Sequence, residues 1–379
     1  MSLATEDLLR LNVLLANNIE AIRIDEQTMT VHGLAGEQEA AVHLNPNCRA
    51  DQYLRRVREV LSSHVLGSPG GYPVFLQRWT RMGQARQSQL EKLLLLGEPE
   101  AVIAVAGSPD LSDDIARRVW WTMPTSDIAR RMLEREAVVR GEMGPVLAAH
   151  LVEHLPFEDD PLAVITTVRL VLQPGLIDAG TRQRIWSGGT HRNAYHIGFL
   201  EAVPDDLPDP VPARPDLEQW RPVLAALAAE GNAMAGFLAR LLDVPGQTFL
   251  AVSQELLENP VNHDSAAALL NAIGRYFRPV HGQAPALRDV QAIVAACGKL
   301  DHPDATGLVA ACPGLEAEAI ATLTLAQASE ALIVEILAKT SASGTLLRRK
   351  LDPVIQPLLA QYAALRGGAY APARRRGRF

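Results

Sequence analysis

The residues of this chain best spaced for chemistry are His150-Leu151-Val152-Glu153-His154. Histidines at i and i+4 share one helical face and can hold a metal ion, and a glutamate between them can serve as general base. A third ligand would come from farther along the chain, and Glu230 lies at a plausible distance. A structural role competes with this one. Leu147, Leu151 and Leu155 already make the segment amphipathic, and Pro156 ends it. His154 then falls in a last turn, where an imidazole suits the helix dipole. With no glutamate-rich helix nearby, the string reads as two histidines flanking a core face. A zinc-dependent hydrolase built on it is the alternative.

The other chemically suggestive residues are weaker. Cys297 and Cys312 with His302 between them hint at metal or redox work, yet there is no C-x-x-C, and buried free thiols fit better. Gly70-Gly71 is followed by neither G-x-G-x-x-G nor G-K-[ST], so it reads as a turn. There is no G-x-S-x-G elbow, and Ser187-Gly188-Gly189-Thr190 reads as a joint between helices. No catalytic, cofactor-binding or metal residue is assigned, and no cofactor is expected.

Two surfaces suit a partner instead. Tyr72, Arg78, Trp79 and Arg81 interleave aromatic and basic groups, which can stack on and neutralise a nucleic acid or an acidic peptide. Arg117, Arg118, Arg130 and Arg131, with Arg135 and Arg140, lie on successive short helices and would form a basic stripe. Against the stripe, Asp113, Asp114, Asp127, Glu134 and Glu136 stand ready to pair with these arginines, and that solvated-face reading is preferred. The terminal Arg374-Arg375-Arg376-Gly377-Arg378 would add salt-sensitive affinity for RNA. A protein partner is expected and RNA is possible.

The elements that position these groups are mostly helices. Residues 89–148 read as a stack of short ones: Pro99 and Pro145 sit in first turns, each after a glycine break. Ser112 offers a cap, with Asp113 and Asp114 toward the dipole. Helix 99–106 is apolar on all sides, so neighbours must cover it. Helices are expected at 5–17, 50–65, 73–82, 145–155, 161–172, 177–186 and 191–202. A second set is expected at 216–229, 233–242, 246–258, 264–277, 286–297, 315–338 and 353–365. Three alternating pieces, 19–25, 28–34 and 38–44, predict a small antiparallel meander. Residues 101–120 and 163–186 share a faint pattern at an offset of roughly 65, near twice the period of a two-helix repeat.

The predicted fold is therefore mainly α, stacked antiparallel helices in a helical-repeat-like array with an N-terminal β-meander. Its expected modules are 1–66 (helix plus meander), 67–202 (stacked helices), 216–366 (second helical lobe) and 367–379 (basic tail). Residues 203–215, with five prolines and three acids, read as a linker between the lobes.

At 379 residues there is ample chain for sizeable cores, and a net charge of −7 argues against whole-surface attraction to nucleic acid or anionic lipid. Three scattered cysteines do not make a disulfide framework. Glu6 and Asp7 stand where a signal peptide would be basic, and no run of about 18 apolar residues occurs. A cytoplasmic chain with no membrane association is expected.

TEDLLRLNVLLANN (5–18), SPGGYPVFLQRWTRMG (68–83), GEPEAV (97–102), RRMLEREAVVRGEMGPVL (130–147) and LQPGLID (172–178) resemble the DsrS proteins. That family is encoded beside the dissimilatory sulfite reductase genes of sulfur-oxidising bacteria, and the likeness covers roughly the first 200 residues. The resemblance implies a cytoplasmic protein without an assigned enzymatic activity and a role in controlling expression of that gene set. It brings no catalytic residues.

Overall fold

The computed structural model describes residues 3–67, 87–280 and 288–368. It is mostly helical with one small antiparallel sheet near the N-terminus, the fold class that the periodicity predicts. The chain divides into two compact units. One holds the residues up to Phe157 together with Gln173–Ile177, and the other holds Glu158–Leu172 and the chain from Asp178 onward.

In the first unit, α1 (Thr5–Leu15) precedes β1 (Ala21–Asp25), β2 (Thr30–Ala35) and β3 (Gln38–His43), paired in the order β1-β2-β3. Ile22 faces Gly33 and Val31 faces Val42 across the ladder. The β2–β3 turn needs a positive φ at its first central position, and Gly36 supplies it at +61°. Leu11 and Leu14 of α1, Ile22 and Val31 of the sheet, and Tyr53, Val57 and Leu61 of α2 (Ala50–Leu66) bury one another in a single core. Asp7 is buried within it. Its carboxylate accepts hydrogen bonds from the Tyr53 hydroxyl at 2.5 Å and the Asn45 amide at 2.8 Å. Burial, and then that carboxylate, push the Tyr53 phenol up to about 12.

Short helices follow: α3 (Gln87–Leu93), α4 (Pro99–Ala106), α5 (Asp113–Thr122), α6 (Ser126–Met132), α7 (Glu136–Val139) and α8 (Met143–His154). Pro99 opens α4 at its first turn, and the predicted cap forms at α5, where the Ser112 hydroxyl accepts from the Ile115 amide. Most of α4 is covered, though Ile103 stays 39% exposed. Asp113 does more than face its own helix dipole. Its carboxylate accepts from the Glu142 and Met143 amides at 2.9 and 3.1 Å, tying the start of α8 to the start of α5. The Ile22 amide donates to the Leu94 carbonyl at 2.9 Å, so meander and helices form one unit rather than modules split at residue 66.

The second unit contains α9 (Pro161–Val171), α10 (Ala179–Gly188), α11 (Asn193–Ala202), α12 (Leu217–Ala229), α13 (Ala233–Leu241), α14 (Val244–Glu258) and α15 (His263–Phe277). It continues with α16 (Val290–Cys297), α17 (Pro303–Ala311), α18 (Glu316–Leu325), α19 (Val334–Leu337) and α20 (Gly344–Leu365). Phe249 of α14 stacks on Tyr276 of α15 at 3.8 Å, with Phe237 and Phe277 against them. The faint repeat has a local counterpart. Both second helices, α5 and α10, carry a tryptophan as their eighth residue, Trp120 and Trp186, and each ring meets a histidine.

Three expectations are corrected. Residues 203–215 run inside the second unit and are not a spacer between lobes. The acids that suggested solvation are anchors: Asp205 accepts from the Tyr276 hydroxyl at 2.8 Å, Asp206 pairs with Arg182 at 2.8 Å, and Asp209 accepts from the Trp186 indole at 2.8 Å. The expected helix 315–338 is broken into α18, a 3-10 turn at Glu330–Leu332 and α19. There the Asn271 carboxamide takes up the Glu330 amide at 2.9 Å, a tertiary contact that competes with helix continuation. The last helix starts at Gly344 rather than 353 and carries Pro353 and Pro357 inside. Each proline removes a helical hydrogen bond, but Leu347, Leu351, Val354, Ile355, Leu358, Leu359 and Tyr362 are buried along the helix and hold it. Helix α17 was not expected. His302-Pro303 starts it, with the His302 ring accepting from the Asp304 amide.

Candidate interaction surface

Helix α8 divides its residues sharply. Leu147, Ala148 and Leu151 are buried, as is Leu155 just beyond, whereas Val146, Glu153, His154 and Phe157 face outward. The outward residues recur at helical spacing, so they form one strip. Phe157, in the 3-10 turn that continues the helix, is 81% exposed, and Val146 is 48% exposed.

His150 lies beside this strip. Its ring meets Trp120 of α5 edge-on at 4.8 Å, and its Nε2 sits 3.4 Å from the Ser126 hydroxyl at the start of α6. His154 stacks on it at 4.0 Å, with Nδ1 donating to the His150 carbonyl at 2.9 Å. Burial lowers the His150 pKa below 6.5, and the neighbouring His154 charge lowers it further. This pair is built for face-to-face contact. Stacked rings send their nitrogen lone pairs side by side, whereas a metal needs them converging on one point about 2 Å away. Glu230 is an exposed residue at the end of α12, in the second unit. Among the described residues, no three His, Cys, Asp or Glu side chains are grouped to hold a metal.

The direction of the His150 shift sets a pH dependence. A histidine whose folded pKa is depressed contributes stability that is full above about 6.5 and lost as pH falls through its native value. Histidine proton resonances should place the His150 midpoint below 6.5, and His154→Gln should raise it by removing the like charge. An unchanged midpoint in the variant would remove His154 as a cause.

The arginines of the expected stripe are brought near carboxylates. Arg117 lies 3.4 Å from Glu20 and donates to the Gly36 carbonyl at 3.1 Å. Arg118 pairs with Asp114 at 2.5 Å and lies 3.4 Å from Glu20 and 3.7 Å from Glu91. Arg130 pairs with Asp127 at 2.5 Å, Arg140 pairs with Glu136, and Arg135 donates to the Gly107 carbonyl. Arg131 is exposed and makes no ion pair among the described residues. Tyr72, Arg78, Trp79 and Arg81 lie outside the described residues, as does the basic tail from residue 369.

The cysteines are unpaired, and burial pushes the Cys297 and Cys312 thiols up, away from the reactive thiolate. His302 between them is a helix cap. Phe157 and Val146 belong to no chemical motif in the sequence. Their signal was the face opposite Leu147, Leu151 and Leu155, where an exposed helix would ordinarily carry charge.

Among the described residues, no helix is long and apolar enough to cross a membrane. No family model, curated protein or solved structure matches this chain.

Proposed function

We propose that this chain is a non-catalytic, cytoplasmic interaction or regulatory protein of sulfur oxidation, and that the outer strip of α8 binds a protein partner. The observation that carries the proposal is the exposed Val146–Phe157 strip with the Trp120–His150–His154 rings beside it. Rigid aromatic anchors ringed by polar groups are the usual energetic centre of protein interfaces. The pairing of Arg117, Arg118 and Arg130 with carboxylates favours a protein over RNA, because paired guanidinium groups leave less charge for a phosphate backbone. The sulfur-oxidation assignment rests on the likeness to the DsrS proteins.

The test is capture of the tagged chain from sulfur-oxidising cells, with and without nuclease, beside Phe157→Ala. A partner that survives nuclease should bind the variant about thirtyfold more weakly, the effect of losing an aromatic hot spot worth ~2 kcal/mol. Stability should change by less than about 0.5 kcal/mol, because the side chain is mostly in solvent. Capture insensitive to Phe157→Ala overturns the assigned surface, and capture abolished by nuclease turns the reading to RNA.

A further inference from the structure

The second unit contains a cavity of about 480 Å³ lined by Arg275, Arg278 and Arg288 together with Asn271, Gln327 and Ser329. Its wall is one face of the last two turns of α15, since Asn271, Gly274, Arg275 and Arg278 follow helical spacing. Residues 326–331 cross that face at Gly274 and supply the opposite wall.

We propose that this cavity binds a small phosphorylated molecule of up to nucleotide size, held by the three guanidinium groups. Volume and charge both favour such a ligand: small-molecule sites run from about 300 to 1,000 Å³, and the guanidinium fork matches phosphate oxygens two at a time. The arginines are weakly committed elsewhere. Arg275 lies 3.8 Å from Glu201 and Arg288 lies 3.3 Å from Glu335, and both arginines are at least half exposed. The Arg288–Glu335 pair is exposed on both sides and holds by less than about 1 kcal/mol, and the Arg275–Glu201 contact is long, so a ligand phosphate can draw on both guanidinium groups. Among the described residues Arg278 makes no ion pair, and the Gln327 carboxamide and Ser329 hydroxyl have no hydrogen-bond partner. The Glu330 carboxylate accepts from the Asn271 carboxamide at 3.3 Å, one carboxylate beside three guanidinium groups.

Isothermal titration calorimetry of the full chain with pyrophosphate, ATP and adenosine tests this. Pyrophosphate or ATP should bind and adenosine should not. Affinity for ATP above that for pyrophosphate would identify a nucleotide, and equal affinity an inorganic polyphosphate. Arg275→Ala with Arg278→Ala should weaken binding about ten- to hundredfold, whereas Arg55→Ala, at an exposed position of the first unit, should leave it unchanged. Arg278→Gln alone, at an exposed position, should give a smaller loss in the same direction. No heat from either phosphate probe, or equal affinity in the double variant, overturns the proposal. Partner capture through Phe157 is a separate measurement, so either reading can fail alone.

Discussion

Gly274→Ala should destabilise the second unit by about 3 kcal/mol or more, near the severe end for a single methyl group. A Cβ at this position would stand 1.9 Å from the Ala328 carbonyl oxygen and 3.0 Å from its carbon. Both atoms are backbone, so no side chain can turn aside to relieve the clash. Residues 326–331 would have to lift from α15, and the bond from the Glu330 amide to Asn271 would stretch with them. Gly236→Ala in α13 is the control, because its Cβ would meet only the Ala228 methyl at 3.5 Å, ordinary contact. There the gain in helix propensity should stabilise by about 0.5–1 kcal/mol. Denaturant unfolding followed by circular dichroism measures both. Equal stability of Gly274→Ala and the parent chain would mean that the α15 crossing is not as close as described.

Arg214→Ala should cost about 3–5 kcal/mol, the penalty for breaking a buried ion pair from one side. Arg214 is 5% exposed and grips Asp216 with two bonds of 2.6 and 2.7 Å. A third nitrogen donates to Glu318 at 2.7 Å and to the Ala364 carbonyl at 3.1 Å. Removing the guanidinium leaves the Glu318 carboxylate, itself only 8% exposed, without its cation. Arg214→Lys should recover little, because one ammonium group cannot reproduce the two-pronged grip on Asp216 while reaching Glu318. The pH dependence is a second readout. The Arg214 hydrogen bonds hold Asp216 below its ordinary value of 3.8. That carboxylate therefore contributes stability that is full above about pH 4 and is lost as pH falls through its lower native value. Stability of the parent chain should fall more steeply below pH 4 than that of Arg214→Ala. Matching slopes would remove this pair as an acid-sensitive element.

Both predictions concern contacts that join residues far apart in sequence, and these were not legible there. Arg214 lies in a segment whose prolines and acids read as a solvated linker. Burial and the partners Asp216, Glu318 and Ala364 make it a central tie of the second unit. Gly274 gave no signal either, since a glycine inside a helical pattern looks the same whether it meets solvent or a crossing chain. The broken helix at 326–333 follows from that crossing. Pro353 pointed to a helix start because propensity is local, and the apolar burial along α20 outweighed it.

The local decisions were written in the residues. Alternation and turn chemistry marked the meander strands, and Gly36 meets the turn's need for a positive φ. Pro99 and Ser112 marked helix starts because a first-turn proline needs no backbone donor and a cap satisfies donors within a few residues of itself. Candidate surfaces were legible only as composition. Which arginines face carboxylates, which face of α8 is bare, and that three arginines surround one cavity depend on distances between elements distant in sequence. Neighbours along the chain set the helical class, the meander and the Ser112 cap, so these are legible in the residue order alone. Tertiary structure decided the division into units, the anchoring of residues 203–215, the breaks and extensions of the last helices, and the grouping of the candidate sites. Each of these is settled by burial and pairing between segments that the chain order keeps apart.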